Sequence, residues 1–305
     1  MSEIKVNSVK AWLLASRPKT LTGALIPVML AGSIAFHFGK FQASLWFCCA
    51  AFACLMQIAA NFINDIYDFL KGSDREDRLG PARACAEGWI TASAMKAGIA
   101  ITLAIACGVG LLAVALSYQA LPYRGIEFII LGAVCVLFAF LYTIGLSYLG
   151  LGDLLVLVFF GFVPVLGTYY LQAQTINMHI IVASLISGIS IDALLVINNY
   201  RDRDQDRISG KRTVVVRFGE PFGRYLYLSI GIAVSLLILS MHEITHGLEA
   251  IPAIVYLLLH IRSWQKMSSI KEGRALNQVL GKTSRNMFLM AILLSAAIVI
   301  QSLLR

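Results

Sequence analysis

Two groups of acidic and amide side chains recur at helical spacing in this sequence. Asn64 and Asp68 lie four residues apart, and Asp65 lies three residues before Asp68. A second set with similar spacing consists of Asn198, Asp202 and Asp206. Residues three or four apart share one face of an α-helix, so each set predicts a stripe of oxygen donors. Carboxylate and amide oxygens suit Mg²⁺, which binds a few carboxylates together with substrate phosphate oxygens.

Basic residues accompany both acidic stripes. They are Lys71, Arg75, Arg78 and Arg83 near the first stripe, and Arg201, Arg207, Lys211 and Arg212 near the second. Acids that hold a metal, interleaved with bases that hold phosphate oxygens, are typical of a metal–diphosphate site. Solvated loops at a membrane surface would also be basic. They would not require paired Asn-x₃-Asp patterns at two apolar helix ends, so the diphosphate interpretation is favoured.

The elements that position these stripes are membrane spans. The chain of 305 residues is 58% hydrophobic and 14% charged, well below the quarter typical of soluble domains. A spanning helix needs about 20 mainly apolar residues. We therefore predict an all-α membrane bundle in a single domain, residues 1–305. Its nine candidate spans are 21–38, 43–64, 95–117, 126–144, 150–171, 178–199, 225–241, 248–261 and 286–304. The eighth is short enough to be re-entrant instead.

The basic residues are distributed asymmetrically between the two sides of these spans. With nine spans and a cytoplasmic N-terminus, all but three of the 25 Lys and Arg residues face the cytoplasm, the exceptions being Lys40, Arg124 and Arg305. The positive-inside rule predicts such an asymmetry. Both acidic stripes then open into cytoplasmic loops, at about 65–94 and 200–224, of a multi-pass inner-membrane protein. No soluble basic surface indicates nucleic-acid binding.

The two acidic segments resemble the motifs of a known family. The run Asn64-Asp65-Ile-Tyr-Asp68 with Gly72-Ser-Asp74-x-x-Asp77-Arg78-x-Gly80-Pro81, and the run Asn198-Asn199-x-Arg201-Asp202-x₃-Asp206 with Gly210-Lys211-Arg212-Thr213, resemble the two motifs of the UbiA superfamily of intramembrane prenyltransferases. Arg17-Pro18-Lys19-Thr20-Leu21 and Tyr148-Leu-Gly-Leu-Gly-Asp153 look like the same family, and the likeness is greatest to the branch that prenylates 1,4-dihydroxy-2-naphthoate.

The resemblance implies roles for individual residues. Asn64, Asp68, Asn198, Asp202 and Asp206 would bind Mg²⁺, with Asp65 close by. The diphosphate would be held by Arg17, Lys19, Lys71, Arg201, Lys211 and Arg212. Catalysis would involve Asp65, Asp68, Lys71, Tyr142, Asp202 and Asp206, and the aromatic lining of the site would draw on Tyr67, Tyr142, Tyr169 and Tyr200. Many superfamily members place a third acid at the position that Gly72 occupies here, so either Asp74 or Asp77 would complete the metal shell.

The resemblance also implies a reaction. A polyprenyl group would pass from polyprenyl diphosphate to 1,4-dihydroxy-2-naphthoate with loss of CO₂ and diphosphate, giving demethylmenaquinol beside the lipid bilayer. Another aromatic acceptor, such as 4-hydroxybenzoate, is the nearest alternative. A secondary transporter would also place acids inside the membrane, and Asp192, in the middle of the sixth span, is the residue that it would use. Asp153 starts the fifth span and is easier to solvate. Transport leaves the two Mg²⁺-like stripes unexplained.

One further string suggests different chemistry. His242-Glu243-Ile-Thr-His246 matches the HExxH signature of zinc metalloproteases. It falls in a short loop on the predicted external side, away from both acidic stripes. A protease site would need the signature on a sustained helix with a third ligand, so we interpret this string as a polar turn.

Overall fold

The computed structural model describes residues 4–72 and 79–305, and within these ranges the chain is helical, without strands. This confirms the all-α prediction. The α-helices are α1 (Val9–Ala15), α2 (Leu21–His37), α3 (Ala43–Leu70), α4 (Ala92–Ser117), α5 (Ile126–Ile144), α6 (Gly152–Val156), α7 (Val163–Ala173), α8 (Met178–Ile208), α9 (Val214–Phe218), α10 (Glu220–Leu239), α11 (His242–Thr245), α12 (Ala250–Ile270) and α13 (Leu276–Leu303). A π-helix, Leu157–Phe162, joins α6 to α7.

The described ranges contain eight helical segments long and apolar enough to cross a membrane. They match the predicted spans except the eighth, 248–261, which corresponds to α12. That helix is continuous over 21 residues, so its length of about 30 Å suits a span and not a re-entrant turn. Its second half is less apolar because its exposed face carries Arg262, Gln265 and Lys266. The buried polar residues His260 and Ser263 bond within the bundle.

The two helices that carry the acidic stripes run beyond their apolar stretches. α3 has 28 residues and α8 has 31, which gives lengths of about 42 and 46 Å. The hydrocarbon core of a bilayer is about 30 Å thick. The last turns of both helices therefore extend past the apolar layer, so much of what the sequence suggested as loop at 65–70 and 200–208 is helical. The residues of each stripe therefore stay on one helix face up to the C-terminal turns of α3 and α8.

The bundle is centred on α2 and α8. α2 has most of its residues buried and α8 about half. α2 packs against α3, α7, α8 and α13, whereas α4 and α5 leave most of their apolar residues at the surface. The π-helix approaches α8 closely because small residues face each other there. A Cβ atom on Gly161 would lie 2.6 Å from the carbonyl oxygen of Ser184. Small residues permit such close contact between membrane helices.

Candidate active site

Asp65 fixes the chain that follows the first acidic stripe. Its side chain is 1% exposed, and its two oxygens accept hydrogen bonds from the backbone amides of Ala84 and Cys85, at 2.9 and 2.8 Å. The guanidinium of Arg17 lies 3.9 Å away. A buried carboxylate needs such partners to be tolerated. The geometry gives Asp65 a role in positioning this segment, with both oxygens already engaged.

The other two members of the first stripe point elsewhere. Asp68 pairs with the guanidinium of Arg83 at 2.5 Å, and the Asn64 amide oxygen accepts a hydrogen bond from the Thr143 hydroxyl at 2.5 Å. Thr143 lies in the last turn of α5. The stripe is thereby connected both to its own loop and to a neighbouring helix, two contacts that the motif itself did not reveal.

The segment between α1 and α2, residues 16–20, is held beside the first stripe. Asn61, one turn before Asn64, donates from its amide to the carbonyl of Ser16 and to the hydroxyl of Thr20, both at 2.9 Å. Arg17 sits between these acceptors in a left-handed conformation, with φ of 51°. Its guanidinium is turned toward Asp65, and its predicted contact with a diphosphate stays a prediction. Lys19 is exposed at the same end of the bundle.

The second stripe is also paired with cations. Asp202 accepts from Nε and Nη2 of Arg201 at 2.7 and 2.6 Å, and Asp206 lies 3.5 Å from the ammonium of Lys211. Asp206 is buried, whereas Asp202 is half-buried. The side chain of Asn198 makes no hydrogen bond within the described ranges. Every acid of either stripe thus faces a positive charge or, for Asp65, backbone amides as well.

Tyr148 joins the two stripes. The Lys71 ammonium, from the end of the first stripe, lies 4.9 Å from the centre of the Tyr148 ring, and the Lys211 ammonium, from the second, lies 5.3 Å from it. Both distances are within the range of cation–π attraction. Lys71 also donates to the carbonyl of Ile144 at 3.0 Å, at the C-terminus of α5. The structure therefore brings both sequence-predicted lysines to one place.

The turn that carries Tyr148 depends on a glycine. Gly150 has φ of +78°, and a Cβ atom there would lie 2.3 Å from the carbonyl oxygen of Arg212. The amide of Arg212 in turn donates to the carbonyl of Tyr148 at 3.0 Å. Only glycine combines this backbone conformation with so close an approach. The side chain of Arg212 is exposed, so the structure places its backbone in the site's framework and leaves its predicted phosphate contact as a prediction.

Further acids lie on the membrane side of these stripes. The Tyr142 hydroxyl lies beside Gly152, about 3.9 Å from where a Cβ atom on that glycine would sit. Asp153 and Asp192 each have one buried carboxylate oxygen without a hydrogen-bond partner in the described ranges. Tyr142 lies in the electrostatic field of both and of Asp206. This region connects the charged end of the site with the interior of the bundle.

Two tyrosines suggested as site residues serve other contacts. The Tyr169 hydroxyl accepts from Asn177, which caps the N-terminus of α8, so it lies at the end of the bundle opposite to the stripes. Tyr200 donates to Glu220 at 2.8 Å, and its ring lies against the guanidinium of Arg203. Sequence position alone did not separate these from Tyr67 and Tyr142. Asp74 and Asp77, with Arg75 and Arg78, lie outside the described residues.

The two stripes offer oxygen donors of the kind that hold a metal ion. Among the described residues, no three carboxylates, histidines or cysteines lie close enough together to hold one. The chemistry of the donors nevertheless fits Mg²⁺, because the stripes supply hard carboxylate and amide oxygens on helix faces. The cations paired with these acids are of the type that binds phosphate oxygens. A magnesium diphosphate could therefore replace the internal ion pairs by taking Mg²⁺ to the acids and phosphate oxygens to the bases.

The HExxH string does not form a helical zinc site. α11 has four residues, and His246 follows it in a left-handed conformation with φ of 50°. Glu243 pairs with His179 at 3.2 Å, and His242 bonds to Glu249 at 2.7 Å. These contacts agree with the interpretation as a polar turn at the end of the bundle remote from the stripes.

Comparison with known proteins gives one consistent family. A family model described as the UbiA prenyltransferase family matches residues 24–300. The chain is similar to 1,4-dihydroxy-2-naphthoate octaprenyltransferase of Escherichia coli strain K12, with 40% identity over 72% of each chain. It is 32% identical to the Mycobacterium tuberculosis protein with the same description, over 95% of this chain and 97% of that one.

Solved structures show the same fold. A UbiA homolog from Archaeoglobus fulgidus bound to DMAPP and Mg²⁺ aligns over 94% of this chain and 98% of its own, with a TM-score of 0.64 at 12% identity. The apo structure of a UbiA homolog from Aeropyrum pernix K1 aligns over 92% and 97%, with a TM-score of 0.65 at 16% identity. At these identities the likeness concerns the fold alone.

Proposed function

Because the chain belongs to the UbiA prenyltransferase family, we propose that this aromatic prenyltransferase transfers a polyprenyl group from polyprenyl diphosphate to 1,4-dihydroxy-2-naphthoate. The observation that carries the diphosphate part is the meeting of the two stripes at Tyr148. There the lysines of both motifs share one aromatic ring, and each neighbouring acid is neutralised by a cation. The naphthoate part is supported by the descriptions of relatives 40% and 32% identical to this chain.

Magnesium is proposed as the cofactor. Asn64, Asp68, Asn198, Asp202 and Asp206 would hold it, and Asp65 would position the adjoining loop. When bound, Mg²⁺ neutralises diphosphate charge and makes the diphosphate a better leaving group. One structurally similar homolog is described as bound to DMAPP and Mg²⁺, which supports the same requirement here.

The chain's own cations would hold the leaving diphosphate. Lys71 and Lys211 lie over the Tyr148 ring, Arg17 lies beside Asp65, and Arg201 is buried next to Asp202. Such preorganised charges stabilise the negative charge that develops as the allylic C–O bond breaks. Lys19 and Arg212 are exposed at the same end and would complete the cationic rim.

The interior side of the site would receive the prenyl chain and the aromatic ring. Tyr142 would face the allylic carbon, since an aromatic face attracts positive charge and a dry pocket protects a cation from water. The ring carbon that bears the carboxylate would form the new bond to the allylic carbon while the allylic C–O bond breaks and diphosphate departs. Loss of the ring carboxylate as CO₂ then returns its bonding electrons to the ring and gives demethylmenaquinol.

The proposed orientation follows the distribution of charge. With the stripes on the cytoplasmic side of the inner membrane, the N-terminus is cytoplasmic, and the basic residues near the stripes obey the positive-inside rule. A basic rim would also attract an anionic bicyclic acid. The family match does not support the transporter alternative. Asp192 and Asp153 are therefore acids of an enzyme and not of a transport pathway.

The proposal is tested in membranes that contain this chain. Labelled polyprenyl diphosphate, Mg²⁺ and either 1,4-dihydroxy-2-naphthoate or 4-hydroxybenzoate are supplied, and products are identified by mass. We expect a prenylated product with the naphthoate, and none when Mg²⁺ is removed by chelation. A product formed only with 4-hydroxybenzoate would contradict the proposed acceptor, and an undiminished rate after chelation would contradict the proposed cofactor.

A further inference from the structure

Asn277 lies in the first turn of α13, far in sequence from both acidic stripes, yet it contacts the segment that follows the first stripe and Arg201, which adjoins Asp202 of the second. Its amide oxygen accepts a hydrogen bond from Nη1 of Arg201 at 2.6 Å, and its amide nitrogen donates to the carbonyl of Leu79 at 2.8 Å. Leu79 belongs to the segment that follows the first stripe, and Arg201 belongs to the second. The side chain of Asn277 is half-buried.

Only an amide side chain of the length of asparagine can make both of these hydrogen bonds. A guanidinium donates hydrogen bonds but accepts none, so it must face the amide oxygen. A backbone carbonyl accepts hydrogen bonds, so it must face the amide nitrogen. The Leu79 carbonyl therefore fixes the orientation of the Asn277 side chain, with its oxygen toward Arg201. Arg201 is 5% exposed, and its other hydrogen bonds go to Asp202 at 2.7 and 2.6 Å.

We propose that Asn277 is a positioning residue of the diphosphate site, which holds the Arg201–Asp202 pair in place through a single amide. The inference rests on the proposed function, since it assigns Asp202 to the metal and Arg201 to the diphosphate. A guanidinium anchored at Nη1 keeps its remaining edge directed at Asp202. Without that anchor the long Arg201 side chain gains rotamers, and ordering it again costs free energy when the diphosphate binds.

Docking of α13 does not depend on this amide. The helix packs against α2, α8 and α12, with Met287, Met290 and Leu294 buried. The neighbouring junction with α8 has its own contact, because Arg203 donates to the carbonyl of Lys271 at 3.0 Å. Removing the Asn277 side chain should therefore change the position of Arg201 and leave the bundle assembled.

The test compares substrate binding by Asn277→Ala with that by Gln278→Ala, a matched control in the same turn whose side chain is exposed. The full-length protein in membranes is titrated with a prenyl thiodiphosphate analogue and Mg²⁺, and KM and kcat are measured with the substrate itself. A hydrogen bond to a charged group predicts about tenfold weaker binding of the analogue by Asn277→Ala. We expect a matching rise in KM for the diphosphate, kcat within about threefold, and the KM for the acceptor unchanged.

Two further variants separate positioning from folding. In an Arg201→Ala background, Asn277→Ala should add less than about a twofold effect, since its target is gone. Asn277→Asp keeps an acceptor for Arg201 but loses the donor to the Leu79 carbonyl, so it should bind the analogue less tightly than the unmodified protein and more tightly than Asn277→Ala. This variant replaces the alanine variant if that one accumulates poorly. The inference is overturned if Asn277→Ala binds like Gln278→Ala, if its effect persists without Arg201, or if Asn277→Asp is as weak as alanine. Because binding is measured without an acceptor, a failed prenylation assay would count against the proposed function alone.

Discussion

Replacing the ring of Tyr148 tests whether the two stripes form one site. Tyr148→Leu removes the surface on which the ammonium groups of Lys71 and Lys211 rest, at 4.9 and 5.3 Å from the ring centre. Tyr148→Phe keeps the ring. If the ring preorganises both lysines for a diphosphate, only the leucine variant should lose activity.

The expected loss follows from the two contacts. A cation–π contact contributes about 0.5–1 kcal/mol at an exposed position and about 2 kcal/mol when desolvated. Lys71 is exposed and Lys211 half-buried, so about 1 kcal/mol for each is appropriate. The sum of about 2 kcal/mol corresponds to about a 30-fold lower kcat/KM for the prenyl diphosphate. The phenylalanine variant should remain within about threefold of the unmodified enzyme.

The assay measures initial rates in membranes at several concentrations of labelled prenyl diphosphate, with acceptor and Mg²⁺ saturating. Tyr123→Leu is the control, because Tyr123 is 70% exposed in the loop before α5. Protein amounts are matched by immunoblot. If Tyr148→Leu stays within threefold of the unmodified enzyme, or if Tyr148→Phe is equally damaged, the ring does not hold the lysines for substrate.

Three other predictions concern the same site and its surroundings. Asp68→Ala, Asp202→Ala and Asp206→Ala should each lower kcat by at least about 100-fold, because each removes a proposed metal ligand, while the protein inserts normally. The rate is measured with labelled prenyl diphosphate. If a variant keeps a tenth of the activity, the residue that it lacks is not a metal ligand. Gly150→Ala should cost about 1–3 kcal/mol of local strain and lower kcat/KM more than tenfold, since its Cβ would lie 2.3 Å from the Arg212 carbonyl. Gly210→Ala, with the same φ but open space, is its control in the same rate assay, and equal losses would refute the steric reasoning. His242→Ala and His246→Ala should leave turnover within about twofold, and a zinc-dependent loss would revive the metal interpretation of the HExxH string.

The sequence was most informative where local chemistry decides structure. The apolar stretches predicted the spans, and the Asn-x₃-Asp spacing predicted helical stripes that continue to the ends of α3 and α8. α12 was the exception, since its apolar run ends at residue 261 while the helix continues to Ile270. Its buried polar residues, His260 and Ser263, find partners inside the bundle, and its charged residues, Arg262 and Lys266, lie at the surface.

Contacts between distant segments could not be predicted from one sequence. Tyr148 and Asn277 matter because of what folding places beside them, and neither lies in an acidic stripe. The spacing of the stripes also did not reveal that Asp65 would bond to two backbone amides, or that Arg83 would pair with Asp68. Tyr169 was misassigned for the same reason, because helix direction decides which end of the bundle a residue occupies.

The central claim is that this enzyme prenylates a naphthoate with loss of its carboxyl group. The most direct test is a competition between 1,4-dihydroxy-2-naphthoate, labelled in its carboxyl carbon, and 4-hydroxybenzoate for one prenyl diphosphate in membranes containing this chain. We expect the label to leave as CO₂ in a one-to-one ratio with prenylated naphthol, and 4-hydroxybenzoate to remain largely unconsumed. Retention of the label in the prenylated product, or preference for 4-hydroxybenzoate, would contradict the claim.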